Sequence, residues 1–145
     1  IGALRDGPTK RALEAAGLSE RVSFRSGLAR REIADLHRRA TLFVAPSRFE
    51  GFGFPAAEAM ACGAPVIASD GGALPEVVGD AGIVTPAGDA DALAAVIRAL
   101  MKDPDARMRM GEAGAMRARR RFTWTAHAEA ALSLYGATPA RLQAA

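Results

Sequence analysis

Short apolar runs of strand length alternate with longer segments of helical periodicity along the chain. Ile33, Leu36 and Ala40, for example, recur at helical spacing and predict an amphipathic helix before a run at 42–44 that is typical of a buried strand. This alternation indicates an α/β protein with a parallel sheet, helices on both faces and right-handed crossovers. The predicted strands are 22–24, 42–44, 66–68 and 83–84, and the predicted helices include 9–16, before the first strand, and 55–61.

The last third of the sequence is helical. Asp89 is expected to cap one helix, Asp103 to start a second and Thr123 to cap a third. We expect Trp124 and Tyr135 to anchor the last helix to a core. The apolar faces comprise Leu93, Val96, Ile97, Leu100 and Met101 in the first of these helices, and Trp124, Ala128, Ala131, Leu132 and Tyr135 in the last.

The composition fits one globular domain. Half of the 145 residues are hydrophobic and about a quarter are charged, which suffices for a hydrophobic core. No apolar run reaches the roughly 18 residues of a membrane span, and no secretory signal is visible. The single cysteine, Cys62, excludes an internal disulfide and agrees with a reducing compartment. Because the chain begins with Ile1, we expect a fragment or a processed chain.

The segment PSRFEGFGFPAAEAMACG, residues 46–63, is the most informative. It follows a predicted strand and leads into a helix, which is where open α/β sheets bind ligands. Gly51 and Gly53 bracket Phe52, so the backbone is able to approach a ligand closely. The first-turn N–H groups of the helix near Pro55, together with the helix dipole, form an anion site that suits a diphosphate.

Two carboxylates flank this predicted anion site. Glu50 lies just before the glycines, and Glu58 lies about one turn inside the helix. Because a diphosphate repels carboxylates, each is expected to reach past it to the paired hydroxyl groups of a sugar. A ribose at one end and a hexose at the other describe a nucleotide-diphosphate sugar. The residues alone leave a structural role open, because a Glu early in a helix is favourable through the dipole.

The stretch EGFGFPAAEAMACGAPVIAS, residues 50–69, resembles the signature of the retaining GT-B glycosyltransferases of the group-one type (glycosyltransferase family four). Its two glutamates, separated by seven residues, match the paired-glutamate motif of that family. The resemblance extends in order from about Gly2 to Tyr135. It implies the C-terminal half of a GT-B fold, with a partial nucleotide-sugar-binding Rossmann-like domain at 1–135; we expect residues 136–145 to be a disordered tail.

The resemblance also implies roles for individual residues. Glu58 would accept the ribose hydroxyls of the donor. Glu50 would be catalytic, since it would hold a hydroxyl of the donor sugar and stabilise oxocarbenium character at the anomeric carbon. Backbone near Leu28 would meet the nucleobase. The N–H groups facing the sugar hydroxyls and the diphosphate would be those of Gly51, Phe52, Gly53 and Phe54.

What is known of the family completes this expectation. Its members transfer the sugar with retention by front-face attack, and need neither a metal nor a cofactor besides the donor. They use an Arg and a Lys on an earlier loop to neutralise the diphosphate, and an N-terminal domain to bind the acceptor, a saccharide, lipid or other alcohol. We expect these elements before Ile1, so this chain alone would be catalytically silent. The expected location is the cytoplasm or the cytoplasmic face of the membrane.

Other residues favour structural interpretations. Cys62 is expected to fill a small buried position, and His37 and His127 are expected on solvated helix faces. Residues 71–72 either line the donor pocket or form a plain turn, and Glu76 is expected to start a short helix. The arginines at 117 and 119–121 favour a solvated face over a nucleic-acid or lipid patch, because no aromatic residues interleave with them.

Two alternatives to glycosyl transfer remain open at this point. One is a nucleotide-sugar epimerase of the same double-Rossmann plan, which needs its own acid and base residues. The other is a non-catalytic module that binds a nucleotide sugar or a nucleic acid; the net charge of +3 is weak support for an anionic partner. The paired glutamates favour glycosyl transfer over both alternatives, and we expect no nucleic acid among the partners.

Overall fold

The computed structural model describes residues 7–135, which form seven α-helices and three β-strands. The predicted tail at 136–145 lies outside these residues. The helices are α1 Pro8–Ala15, α2 Arg30–Arg39, α3 Phe54–Ala61, α4 Leu74–Val78, α5 Ala90–Lys102, α6 Pro104–Arg121 and α7 Trp124–Leu134. The strands are β1 Phe43–Ala45, β2 Val66–Ser69 and β3 Ile83–Thr85; short 3₁₀ turns occupy Ser19–Arg21 and Gly79–Ala81.

The chain divides into two compact units, with the boundary between Ile33 and Ala34. The first unit holds α1, a 3₁₀ turn and the start of α2. The predicted strand at 22–24 is wrong. Val22 has extended backbone angles, φ −122° and ψ 124°, but no strand within residues 7–135 pairs with this segment. Without the hydrogen bonds of a neighbouring strand, an extended segment is not part of a sheet.

The second unit contains a parallel sheet in the order β1-β2-β3, as predicted. Each of the three remaining predicted strands is confirmed to within one residue at its ends. Phe43 pairs with Val66, and Ile67 pairs with Ile83. All four side chains of the central strand β2 are buried, so both of its faces are covered. By contrast, β1 is only half-buried rather than buried, because it is an edge strand.

The core of the second unit lies between the sheet, α3, α4 and α6. Met60 of α3 and Leu74 and Val78 of α4 are fully buried there. α6 packs along α3, where Ala118 joins the same cluster as Met60. Because α3 is fixed on two sides, its N-terminal end has a defined position at the carboxyl edge of the sheet.

The predicted caps of the last three helices are confirmed. The carboxylate of Asp89 accepts a hydrogen bond from the N–H of Ala92 at 2.9 Å, and that of Asp103 accepts one from Ala106 at 2.8 Å. The hydroxyl of Thr123 accepts one at 3.2 Å from the third residue of α7. Each such cap stabilises its helix by about 1 kcal/mol.

The prediction that Trp124 and Tyr135 anchor α7 to a core is wrong, because each is 87% exposed. Of the predicted apolar face of this helix, only Ala131 and Leu132 are half-buried. The spacing of apolar residues identified the helix, but within the described residues little surface covers its apolar stripe. No helix among residues 7–135 is long and apolar enough to cross a membrane.

Arg117 is not part of a solvated face, contrary to the prediction. Its Nε donates to the carbonyl oxygen of Val77 at 2.8 Å, and its Nη2 donates to that of Glu76 at 2.6 Å. An ion pair of 3.5 Å with Asp80 completes the contacts, and the side chain is only 14% exposed. Arg117 therefore caps the C-terminal end of α4 from a helix 40 residues away. The neighbouring arginines at 119–121 are exposed, as predicted.

We expect Arg117→Ala to lower the free energy of unfolding by about 1–3 kcal/mol, because two carbonyl oxygens of α4 lose their charged donor. Arg119→Ala, a change of the same chemistry at an exposed position, should alter it by less than about 0.5 kcal/mol. Urea unfolding followed by circular dichroism measures both. Equal effects of the two changes would contradict the capping role.

Candidate functional site

Gly53 shapes the bend between β1 and α3. It is the N-cap residue of α3 and has φ 92° and ψ 44°, a left-handed conformation that residues with a side chain rarely adopt. A Cβ atom here would also lie 2.7 Å from Cδ2 of the buried Leu74. α3 then begins at Phe54, one residue earlier than predicted, with Pro55 in its first turn. Glycine is therefore required where the loop turns into the helix.

The backbone N–H groups of residues 51–54 donate no hydrogen bond to any residue between 7 and 135. The following positions differ: Pro55 has no N–H, and those of Ala56 and Ala57 donate to the carbonyl oxygen of Gly53 at 3.0 and 3.2 Å. The unpaired donors therefore begin in the loop, ahead of the first turn of α3 in which the anion site was expected. Four consecutive free donors end at the positive end of a helix, an arrangement suited to an anionic group.

Glu50 is held in place by its own loop. Its Oε1 accepts a hydrogen bond from Ser47 Oγ at 3.0 Å, and its carbonyl oxygen accepts one from the N–H of Ala73 at 3.0 Å. The carbonyl oxygen of Ser47 accepts a further hydrogen bond from the buried Ser69 Oγ at the end of β2. The carboxylate is half-buried, and Oε2 has no partner in the described part of the chain. One oxygen of Glu50 is therefore oriented, and the other is available.

Two glycines in the turn after β2 allow this loop to lie close to it. A Cβ atom at Gly71 would lie 2.5 Å from the carbonyl oxygen of Ser47. One at Gly72, where φ is 67°, would overlap the carbonyl oxygen of Glu50. The structure thus supports the interpretation of 71–72 as a turn, and the close packing of this turn sets the position of Glu50.

Glu58 lies on the exposed surface of α3, one turn after Phe54, and its side chain makes no hydrogen bond within the described residues. His37, at the end of α2, interacts with it electrostatically. The prediction of a solvated His37 is wrong. Only 9% of this residue is exposed, its ring packs edge-on against Phe43 with centroids 5.2 Å apart, and Nε2 has no hydrogen-bond partner among residues 7–135. Burial lowers the pKa of His37, and the carboxylate of Glu58 acts in the opposite direction.

The spacing of α2 contained a signal for this buried histidine. Position 37 is four residues after Ile33 and three before Ala40, and both of these residues are half-buried. Leu36, which the sequence assigned to the apolar face, is 41% exposed. The buried stripe therefore runs through 33, 37 and 40, with an imidazole at its centre.

The phenyl rings of the bend line a groove that neither of the two glutamates lines. Phe52 packs against Phe54 and Phe122, with centroids 4.7 and 5.7 Å apart. These rings line an open groove of about 700 Å³ that continues to Trp124 and His127, and neither Glu50 nor Glu58 lines it. Of these two phenylalanines, the backbone rather than the side chain therefore belongs to the candidate site.

Other predicted positions are placed as follows. Leu28 is half-buried in the first compact unit, and its assignment to the nucleobase stays a prediction. Cys62 is half-buried at the C-cap of α3, and His127 is exposed as predicted. Glu76 lies in the first turn of the short helix α4, also as predicted. Within residues 7–135, no group of three or more His, Cys, Asp or Glu side chains is arranged to hold a metal ion.

Comparison with known proteins relates this chain to glycosyltransferases. Residues 3–117 match the model of the family described as glycosyl transferases group 1. The MMP alpha-(1->4)-mannosyltransferase of Mycolicibacterium hassiacum is 42% identical over 143 residues, which are 96% of this chain and 34% of that protein. The chain thus spans about a third of the length of the curated relatives that it matches.

Solved structures resemble the chain over a similar range. The sucrose-phosphate synthase from Thermosynechococcus elongatus superposes with a TM-score of 0.79 at 35% identity, and the match covers 93% of this chain and 35% of that one. HepE of Anabaena, crystallised in complex with UDP, gives the same TM-score at 28% identity, over 88% of this chain and 36% of that one. In both cases the match is to about one third of a larger protein.

The buried His37 predicts a specific dependence of stability on pH. Its pKa is lowered in the folded state from the ordinary value of 6.5, so the unfolded chain binds the proton more readily. The stabilising effect of the neutral ring is fully present above pH 6.5, and it is lost as the pH falls from 6.5 through the lowered pKa. Unfolding in urea between pH 5 and pH 7.5 measures this slope.

We expect His37→Phe, which retains an aromatic ring next to Phe43, to remove this component of the slope. His127→Gln changes an exposed histidine and is the matched control, which should leave the slope as it is. A slope in the His37 variant equal to that of the parent protein would show that another group is responsible.

Proposed function

Because the chain belongs to the family of group 1 glycosyl transferases, we propose that it is the donor-binding part of an enzyme that transfers a hexosyl group from a nucleotide-diphosphate sugar to an acceptor. Its parallel sheet with flanking helices matches the C-terminal half of GT-B glycosyltransferases. The relatives named above are a mannosyltransferase and a sucrose-phosphate synthase, which supports sugar transfer as the reaction class.

One observation carries the proposal: four consecutive N–H groups at residues 51–54 have no acceptor among the residues described, at the positive end of α3. Unpaired donors of this kind favour a diphosphate, since its oxygens accept several hydrogen bonds at once and its charge complements the helix dipole. The complex of the similar HepE with UDP, a nucleoside diphosphate, supports the same ligand class.

The two glutamates then bind the two sugars of the donor. Glu58, exposed and without a hydrogen-bond partner in the part of the chain described, accepts the two ribose hydroxyls. Glu50 uses Oε2 for a hydroxyl of the transferred sugar, while Ser47 holds Oε1 at 3.0 Å. In the transition state, its negative charge stabilises the oxocarbenium character of the anomeric carbon. Backbone near Leu28 contacts the nucleobase.

The finer features of the reaction belong to the proposal as well. We propose transfer with retention of configuration, without a metal ion, in the cytoplasm or at the cytoplasmic face of the membrane. The acceptor is a saccharide, lipid or other alcohol that binds outside this chain. The alternative of a nucleic-acid-binding module is weakened because Arg117, one of the arginines on which it rests, caps α4.

We expect Glu58→Gln to weaken the binding of UDP, GDP or ADP, whichever the full-length protein prefers, by about ten- to a hundredfold. The reason is that the carboxylate of Glu58 has two charged oxygens to accept the two ribose hydroxyls. The amide of glutamine keeps only one acceptor oxygen and has no charge. Glu112→Gln, at an exposed position of α6, is the matched control and should leave the affinity unchanged. Isothermal titration calorimetry measures both. Equal affinity of the Glu58 variant and the parent would exclude the ribose role.

Substitutions of the two glycines of the bend distinguish an effect on ligand binding from an effect on stability. At Gly51 a Cβ atom meets nothing within 4 Å and φ is not positive, so Gly51→Ala should leave stability unchanged but place a methyl group where the diphosphate or sugar binds. Gly53→Ala should instead lower the free energy of unfolding by about 1–3 kcal/mol through its left-handed backbone and its collision with Leu74. Thermal unfolding and nucleotide titration of both variants test this. A Gly51 variant of normal affinity would contradict the ligand position.

A further inference from the structure

His37 carries a buried nitrogen that makes no hydrogen bond within residues 7–135. This atom, Nε2, is inaccessible to solvent, and only 9% of the whole residue is exposed. Leaving a buried polar group of this kind unpaired destabilises the folded state. A phenylalanine would pack edge-on against Phe43 without that cost. The imidazole therefore needs an explanation beyond its packing.

Glu58 is the charged group whose electrostatic effect reaches this imidazole. α3, which carries Glu58, packs on β1, which carries Phe43, the ring partner of His37. The carboxylate of Glu58 is near enough to act on the protonation of His37. It is exposed, has three rotatable bonds and makes no hydrogen bond within the described residues, so its orientation is not fixed by the protein alone.

We infer that His37 is a positioning residue, whose Nε2–H donates a hydrogen bond to the carboxylate of Glu58 and holds it toward the ribose diol when the donor binds. This inference rests on the proposed function, since it concerns the same carboxylate. It goes beyond that function because it assigns the orientation of Glu58 to a residue of α2. The hydrogen bond forms in the bound state, where the ribose draws the carboxylate onto the helix surface.

The chemistry of the two groups is compatible with this role. A carboxylate has about four acceptor positions, which suffice for two ribose hydroxyls and one imidazole N–H. Burial keeps His37 neutral near pH 7 by lowering its pKa, so the ring supplies a donor without a formal positive charge. A neutral donor orients the carboxylate and leaves its negative charge for the ribose hydroxyls.

Substitutions at position 37 separate positioning from packing. His37→Phe retains the ring but has no N–H, and His37→Gln places an amide donor near the location of Nε2. In the full-length protein we expect His37→Phe to lower the affinity for the preferred nucleoside diphosphate by about three- to tenfold. His37→Gln should retain most of the affinity of the parent protein. His37→Asn, whose shorter side chain places its amide nearer the position of Nδ1, is the matched polar control and should not retain it.

A double-mutant cycle with Glu58→Gln identifies the partner. If His37 acts through Glu58, His37→Phe should have little further effect in the Glu58→Gln background, and little effect on a 2′,3′-dideoxynucleoside diphosphate. In ¹⁵N-histidine-labelled protein, the Nε2–H resonance of His37 should shift when the nucleoside diphosphate binds, whereas the ring of the exposed His127 should not respond.

The outcomes are distinguishable. An effect of His37→Phe that is the same with and without Glu58, or an affinity unchanged in His37→Phe, overturns the positioning role but leaves the proposed function in place. If His37→Phe does not fold, His37→Gln and the resonance of the parent protein decide in its place. Absence of nucleoside diphosphate binding by the parent protein overturns both the proposed function and this inference. The positioning role is supported if the effect of His37→Phe depends on Glu58 and if His37→Gln, but not His37→Asn, retains the affinity of the parent protein.

Discussion

The left-handed backbone of Gly53 is the constraint on which the candidate site depends. With φ at 92° and Leu74 directly against it, this residue turns the chain from the loop into α3 within one position. The amides of 51–54, which lead into this turn and through it, have no acceptor within residues 7–135. The energetic cost of unpaired amides is acceptable where solvent or a ligand supplies the acceptor.

The glutamates on either side of the bend are controlled in different ways. Glu50 is fixed in the described structure through Ser47 and through the close packing of the loop on Gly72. Glu58 extends from α3 without a partner among the described residues, and Nε2 of His37, on which its charge acts, has no hydrogen-bond partner there either. This asymmetry suits the proposed roles. Glu50, which would stabilise charge in the transition state, must be positioned before the reaction. Glu58, which would bind the ribose, is able to adopt its orientation when the donor binds.

Periodicity and capping residues predicted much of this fold. The strands at 66–69 and 83–85 and the caps at Asp89, Asp103 and Thr123 follow from local rules, and the structure confirms them. The strand predicted at 22–24 fails because a strand also requires a neighbour, which no local pattern provides. The exposure of Trp124 has the same origin: spacing identifies an apolar stripe but not the surface that covers it.

The polar residues that the sequence misjudged are those whose partners lie far along the chain. Arg117 and Val77 are 40 residues apart, and composition alone placed this arginine on a solvated face. His37 was predicted to face solvent because no recognisable partner motif accompanies it, although the stripe of 33, 37 and 40 indicated burial. A polar residue at the centre of an apolar stripe either loses hydration without compensation or has a partner. For Arg117 the carbonyl groups of α4 are that partner; for His37 the candidate is Glu58, whose carboxylate acts electrostatically on the imidazole and connects the buried ring of α2 to the proposed donor site on α3.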